Sequence, residues 1–169
     1  MKNTGTSENT RYTCSMIRIS IAKQMLYHRN IAGVWHAYPI STASKGAGNQ
    51  EGSLQTPLGK HRICQKIGAD EPIMTAFRAR QPIGIYQEGI DNPNQDWILS
   101  RILWLTGTQT GINKRGAVDT HERYIYIHGT HEEERIGTPC SHGCIRMCNE
   151  DIIHLFAHCD VGETVIIKP

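Results

Sequence analysis

The run Ile98-Leu99-Ser100-Arg101-Ile102-Leu103-Trp104-Leu105 constrains this chain more than any other stretch. Both of its alternating faces are apolar: Ile98, Ile102 and Trp104 on one, Leu99, Leu103 and Leu105 on the other. Successive side chains of a strand point to opposite sides of its sheet, so a strand apolar on both sides must be covered on both. That asks for a layered or barrel-like core. Arg101 is the odd member of the run. It is read either as a snorkelling side chain or as a clamp for a substrate carboxylate, which a guanidinium can hold with two parallel hydrogen bonds.

Most of the remaining pattern is also β. Residues 16–27 alternate through Ile17, Ile19 and Ile21, residues 31–40 form a second strand-like run ending near Pro39, and residues 61–67 a short one. Residues 123–129 alternate with Ile125 and Ile127 on one face and Tyr124, Tyr126 and His128 on the other. Pro72, Pro82 and Pro93 forbid a long helix over 69–97. Residues 41–56, with Gly46, Gly48 and Gly52, read as a loop, and residues 106–120 as a glycine-rich loop long enough to act as a lid. One helix is predicted. Asn149 is its N-cap, Glu150 and Asp151 suit its positive end, and Ile152, Leu155 and Phe156 form its apolar stripe. Residues 164–167 make a last strand. The fold class is mainly β, sandwich- or barrel-like, with one late helix. Residues 16–169 are read as one domain behind a polar, mobile leader over 1–15.

Composition excludes several functions. The 18 basic and 16 acidic side chains leave a net charge of +2, too little for nucleic-acid binding, which wants a concentrated basic stripe. No stretch approaches the roughly 18 apolar residues of a membrane span, so no membrane insertion is expected. The first residues lack the apolar core of a secretory signal. A cytoplasmic location is expected, or a periplasmic one if a signal has been removed. The six cysteines are then expected as free thiols.

The chemistry-bearing stretch is Ser141-His142-Gly143-Cys144-Ile145-Arg146. A cysteine flanked by Gly and His, just after a proline-containing turn and just before a helix, is placed for reactivity. Backbone N–H groups at such a turn can hold an anion, including the oxyanion of a tetrahedral intermediate. A thiol needs a base to become a nucleophile near neutral pH. His142 is near in sequence, but His128 ends a strand that aims it at the same surface as Tyr124 and Tyr126, and is preferred. Gly129 follows it and can offer a carbonyl to the far ring nitrogen, fixing the tautomer in place of a carboxylate.

At these residues the chain resembles the L,D-transpeptidase (YkuD-type) family. The match is Tyr124-Ile125-Tyr126-Ile127-His128-Gly129-Thr130 and Ser141-His142-Gly143-Cys144-Ile145-Arg146-Met147, with Thr56-Pro57-Leu58-Gly59 upstream. The Ser41-Thr42 segment and the strand around Arg101 also resemble the family. The resemblance implies a β-sandwich-like catalytic domain with one helix after the cysteine, and no cofactor. It implies that Cys144 attacks the meso-diaminopimelate carbonyl of a peptidoglycan tetrapeptide stem, releasing D-alanine, with His128 as base and Gly129 orienting it. Backbone N–H groups around His142, Gly143 and Cys144 would form the oxyanion hole. Ser141 and Arg146 would hold the loop or meet substrate, and Tyr126 would lie beside it. Carbapenems would acylate the cysteine. With water as acceptor the product is a tripeptide, an L,D-carboxypeptidase action suited to peptidoglycan recycling. An exported enzyme would instead form 3–3 crosslinks.

Two further readings attach to the polar residues. Cys140, Cys144, Cys148, Cys159, His154 and His158 offer zinc-like spacings, but not the Cys-x2-Cys knuckle of structural sites, so no metal is assigned. The alternative of another class is a non-enzymatic wall- or zinc-binding module. Cys140 is also a candidate for a regulatory disulfide with Cys144. Arg78 and Arg80 read as a solvated face.

Overall fold

The computed structural model describes residues 14–169, so the leader expected over 1–15 lies almost wholly outside the described residues. Among the described residues ten strands form one hydrogen-bonded sheet. They are β1 (Met16–Ser20), β2 (Met25–Arg29), β3 (Trp35–Pro39), β4 (Gly59–Ile67), β5 (Thr75–Arg78), β6 (Gln81–Ile85), β7 (Ile98–Gly107), β8 (Tyr126–Gly129), β9 (Ile145–Met147) and β10 (Thr164–Lys168). The path runs β3-β2-β1-β10-β4-β7-β5-β6, and β8 branches from β7 to carry β9. The helix α1 (Asn149–His158) follows β9. The mainly β architecture with one helix after the cysteine stands. The two layers come from one sheet curling on itself rather than from two separate sheets.

The central strand is β7, and its two apolar faces serve two cores. Leu103 and Leu105 join Ile17, Leu26, Ile127, Val165 and the stripe Ile152, Leu155 and Phe156 of α1. Ile102 and Trp104 pack on the other side with Phe77, Tyr126 and Cys144. Burying a large apolar side chain is worth about 1.5–3 kcal/mol, so both faces of β7 contribute.

Several boundaries differ from the periodicity. Residues 16–27 are a hairpin, not one strand: the chain reverses between Ser20 and Met25, where Gln24 takes φ 49° and its side chain reaches Thr42 Oγ1 at 2.7 Å. Asn149 is the first helical residue, not the cap. The cap residue, Cys148, makes no side-chain bond, and the carboxylate of Glu133 accepts from both Asn149 N (2.6 Å) and Asn149 Nδ2 (2.7 Å). At the other end Lys66 Nζ donates to the carbonyls of Phe156 and Cys159, each at 2.6 Å. An anion at the start and a cation at the end both complement the helix dipole.

The lid expected over 106–120 is pinned instead. Asn113 is fully buried, donates to the carbonyls of Leu58 and Lys60 (both 3.1 Å) and accepts from Gln109 N (3.0 Å). Among the described residues no helix is long and apolar enough to cross a membrane.

Candidate active site

Strands β8 and β9 are parallel neighbours, with Ile127 opposite Ile145 and His128 opposite Arg146. Cys144 immediately precedes β9 and therefore stands level with Tyr126. Ile125 and Ile127 point into the main core, while Tyr126 and Cys144 sit in the smaller cluster on the other face. His128 has the parity of Tyr126 and stands one diagonal from Cys144. Such diagonals span roughly 7–8 Å between Cα atoms, within reach of long side chains.

His128 is 1% exposed, and its Nδ1 donates to the carbonyl of Gly129 at 2.7 Å. A carbonyl can only accept, so the proton sits on Nδ1 and the Nε2 lone pair is free. Burial holds this imidazole below its ordinary pKa, Asp96 and the Gly129 carbonyl raise it again, and Arg146 lowers it. At neutral pH it is an uncharged base.

Cys144 keeps a partial opening to solvent, although protein packs densely around it. Its sulfur accepts from Tyr126 N at 3.4 Å and donates toward the Tyr124 carbonyl at 3.5 Å. Both partners are main chain; the imidazole is not one of them. Burial pushes the thiol up to about 12, Asp96 adds to that, and the Tyr126 amide, Arg146 and Arg123 counter it. The resting pair is therefore thiol and neutral imidazole.

The turn before the cysteine is held from several sides. Ser141 is fully buried, and its hydroxyl donates to the Cys144 carbonyl at 2.6 Å and accepts from Gly143 N at 3.2 Å. Gly143 has φ +139°, and an added Cβ there would sit 3.2 Å from Ile125 Cδ1. Thr56 of the Thr-Pro-Leu-Gly turn donates to the Gly143 carbonyl at 3.0 Å and accepts from Ala43 N at 2.9 Å. The Gly143 amide is committed to Ser141, while the His142 and Cys144 amides have no acceptor among the described residues and are the donors left for an oxyanion.

Three expected substrate contacts are instead part of the framework. Ser141 only locks the turn. The Arg146 guanidinium is 3% exposed and is shared between Asp96 (2.6 Å) and Glu132 (2.6 Å), with a longer contact to the Cys140 sulfur at 3.6 Å. Arg101 gives its guanidinium to the carbonyls of Glu71 (2.7 Å) and Ser100 (2.6 Å) and lies over the Phe156 ring. A register shift between Leu99 and Ile102, with Ser100 at φ 65°, turns it that way, so the clamp reading gives way to the structural one. Tyr126 is 5% exposed and takes a hydrogen bond from Arg80 at 3.2 Å. His142 is exposed and bonds Asp96 at 3.0 Å. All six cysteines are free thiols.

Two residues that matter went unmarked by any motif. Asp96 joins Arg146 to His142 and biases His128. Arg80, read as a solvated residue, reaches over Trp104 (4.7 Å) and Tyr124 (5.3 Å) at the rim of the cysteine cluster. Trp104 stacks on His121 at 4.1 Å. The turn carrying Arg80 is Ala79-Arg80, both left-handed (φ 47° and 65°), where Asn-Gly is the usual signal.

A curled sheet that sets a partly open cysteine on the same face as a carbonyl-oriented histidine is an arrangement that cysteine acyl-transfer chemistry can use. The chain belongs to the YkuD family, the L,D-transpeptidase catalytic domain, whose model matches residues 15–167. YqjB of Bacillus subtilis (strain 168), which carries a provisional L,D-transpeptidase name, is 47% identical over 51 residues, covering 30% of this chain and 29% of that protein. L,D-transpeptidase 3 from Mycobacterium tuberculosis, in complex with a faropenem-derived adduct, superposes with a TM-score of 0.57 at 17% identity, over 92% of this chain and 60% of that one. LdtMt1 in complex with imipenem superposes with a TM-score of 0.54 at 18% identity, over 92% and 59%. These superpositions show a shared fold. The chain spans less than two thirds of each of these relatives.

Proposed function

We propose that the chain cleaves the L,D-peptide bond between meso-diaminopimelate and D-alanine in peptidoglycan tetrapeptide stems, with water as the final acceptor. The observation that carries this reading is the parallel pair β8–β9, which sets Cys144 and His128 on one face with Gly129 holding the imidazole. His128 Nε2 takes the thiol proton as sulfur attacks the carbonyl carbon. The oxyanion turns toward the His142 and Cys144 amides. The C–N bond breaks, and the departing amine of D-alanine takes the proton back from Nε2. Water, activated by the same nitrogen, then frees the tripeptide and the thiol. Acyl transfer goes to whichever nucleophile is positioned, and water at about 55 M needs no second binding site. Cytoplasmic recycling of stem peptides is the setting that goes with hydrolysis.

Mass spectrometry of products from a disaccharide-tetrapeptide, with and without an acceptor stem, tests this. Tripeptide and D-alanine are expected in both cases. Crosslinked dimer without tripeptide would reassign the chain to crosslinking. A carbapenem should add one drug mass to the wild type and none to Cys144→Ala; the two β-lactam complexes among the relatives support that expectation. Cys144→Ser and His128→Ala should each abolish turnover with a near-native fold.

A further inference from the structure

We propose that the outer face of β3-β2-β1-β10-β4 docks on an anionic lipid surface, with the β2–β3 hairpin tip entering the headgroup layer. The chain holds 18 basic and 16 acidic side chains, yet these five strands contain no Asp or Glu at all. Their registers gather the cations. Arg18 lies opposite Ile166 and Ile166 opposite Lys60, while Arg29 lies opposite Met16, Met16 opposite Thr164 and Thr164 opposite Arg62; Lys168 lies opposite Ser20. Period-two alternation puts these five cations on the side opposite the main core, into which Ile17, Leu26 and Val165 point; the sixth in these strands, Lys66, lies past the β4 bulge and turns to the end of α1 instead. Among the described residues none of the five pairs with a carboxylate. This is the concentrated basic patch that the net charge of +2 conceals.

The patch has an apolar end. In the hairpin tip Ile31 is 78% exposed and Val34 51%, and Trp35, 46% exposed, begins β3 beside Arg29. The tip is preformed: Asn30 accepts from Gly33 N at 2.9 Å and, through its side chain, from Val34 N at 3.0 Å. Arg18 lies 5.4 Å over the Trp35 ring, on the wall of a shallow cavity of about 590 Å³ that Lys23, Tyr27 and Lys168 also line. The cavity suits a phosphate headgroup. A soluble polyanion would satisfy the cations and leave two aliphatic side chains in water. A lipid surface satisfies both: charges on the headgroups, tip among the upper acyl carbons, and tryptophan at the boundary. The face lies outside the cysteine site and the proposal does not depend on the reaction there.

Co-sedimentation of the full chain with vesicles tests it. The chain should pellet with an equal mixture of phosphatidylglycerol and phosphatidylcholine at low salt, and stay in solution with phosphatidylcholine alone. Arg18→Glu with Arg29→Glu should weaken binding at least about tenfold, and so should Val34→Asp, which leaves every cation in place. Lys168→Glu with Arg62→Glu stands in if the first pair lowers the unfolding midpoint. Failure to bind the anionic vesicles overturns the proposal, as does equal binding to neutral ones. Unchanged binding of Val34→Asp, with inorganic polyphosphate held as tightly as vesicles, overturns it in favour of a soluble polyanion.

Discussion

Asp96 lies 2.6 Å from Arg146, a residue 50 positions further along the chain. Arg146 also holds Glu132 at 2.6 Å, so one buried guanidinium ties the segment before β7 and the segment after β8 to the strand that follows the cysteine. A buried cation is tolerable only when paired, and here the pairing doubles as positioning. The same carboxylate sits where His128 feels it.

The pH profile should report this. The base works when neutral, and burial holds His128 below the usual imidazole value of about 6.5, so the acid limb of kcat/KM lies below that pH. Asp96 opposes the lowering. Asp96→Asn should therefore move the limb to still lower pH. A limb that stays in place or rises would show that Asp96 acts on the loop alone.

Gly129→Ala should damage both stability and rate. A Cβ there meets Asn149 Oδ1 and lies 2.8 Å from the Leu99 carbonyl, so β8 must shift. The shift moves the carbonyl that orients His128. A misplacement of about 1 Å at a reacting group costs on the order of a hundredfold, so kcat should fall that far while KM changes little. Steady-state kinetics with a tetrapeptide, beside a thermal melt, separates the two effects. Wild-type kcat in a folded variant would remove the orienting role.

Glu133→Ala should destabilise without touching the chemistry. It removes the acceptor for Asn149 N and Nδ2 at the start of α1. Loss of a helix cap costs about 1 kcal/mol, commonly 0.5–2. Urea denaturation should show the loss as a lower midpoint at constant slope, and carbapenem acylation of Cys144 should proceed as in the wild type.

Acid should unfold the chain partly through His61. This side chain is fully buried, with Nε2 3.0 Å from Thr120 Oγ1 and Nδ1 3.1 Å from the Gly59 carbonyl. Burial lowers its pKa from 6.5 to about 4. The unfolded chain then binds the proton first, so the stability tied to the neutral ring is complete above about 6.5 and drains away as pH falls toward 4. The loss is on the order of 3 kcal/mol when complete. His61→Gln should flatten the dependence of the melting temperature between pH 6.5 and 4; an unchanged slope would place the acid lability elsewhere.

Parts of this molecule were legible one residue at a time. The double apolar face of β7, the alternation of Ile125 and Ile127 against Tyr126 and His128, and the apolar stripe of α1 are periodic signals. Strands and helices have fixed periods, so the patterns locate the core. The order His128-Gly129 ahead of Ser141-His142-Gly143-Cys144 was equally plain, because the groups needed to fix a ring, turn a loop and expose a sulfur are local. Reversals written in unusual residues were not legible. Ala79-Arg80 and Gln24 adopt left-handed backbone without the glycine or asparagine that normally marks it.

Sequence alone indicated the fold class and singled out Cys144 and His128 as the candidate pair, since strand and helix periods and short motifs are written in neighbours a few positions apart. Only the tertiary structure decided which charged side chains serve the site. Arg101, Arg146 and Ser141 look available in the sequence, yet burial commits them to carbonyls, carboxylates and a turn, while Asp96 and Arg80 arrive from distant segments. A hydrogen bond is decided by where two groups meet in space, and for residues 50 positions apart that depends on the packing of every strand between them.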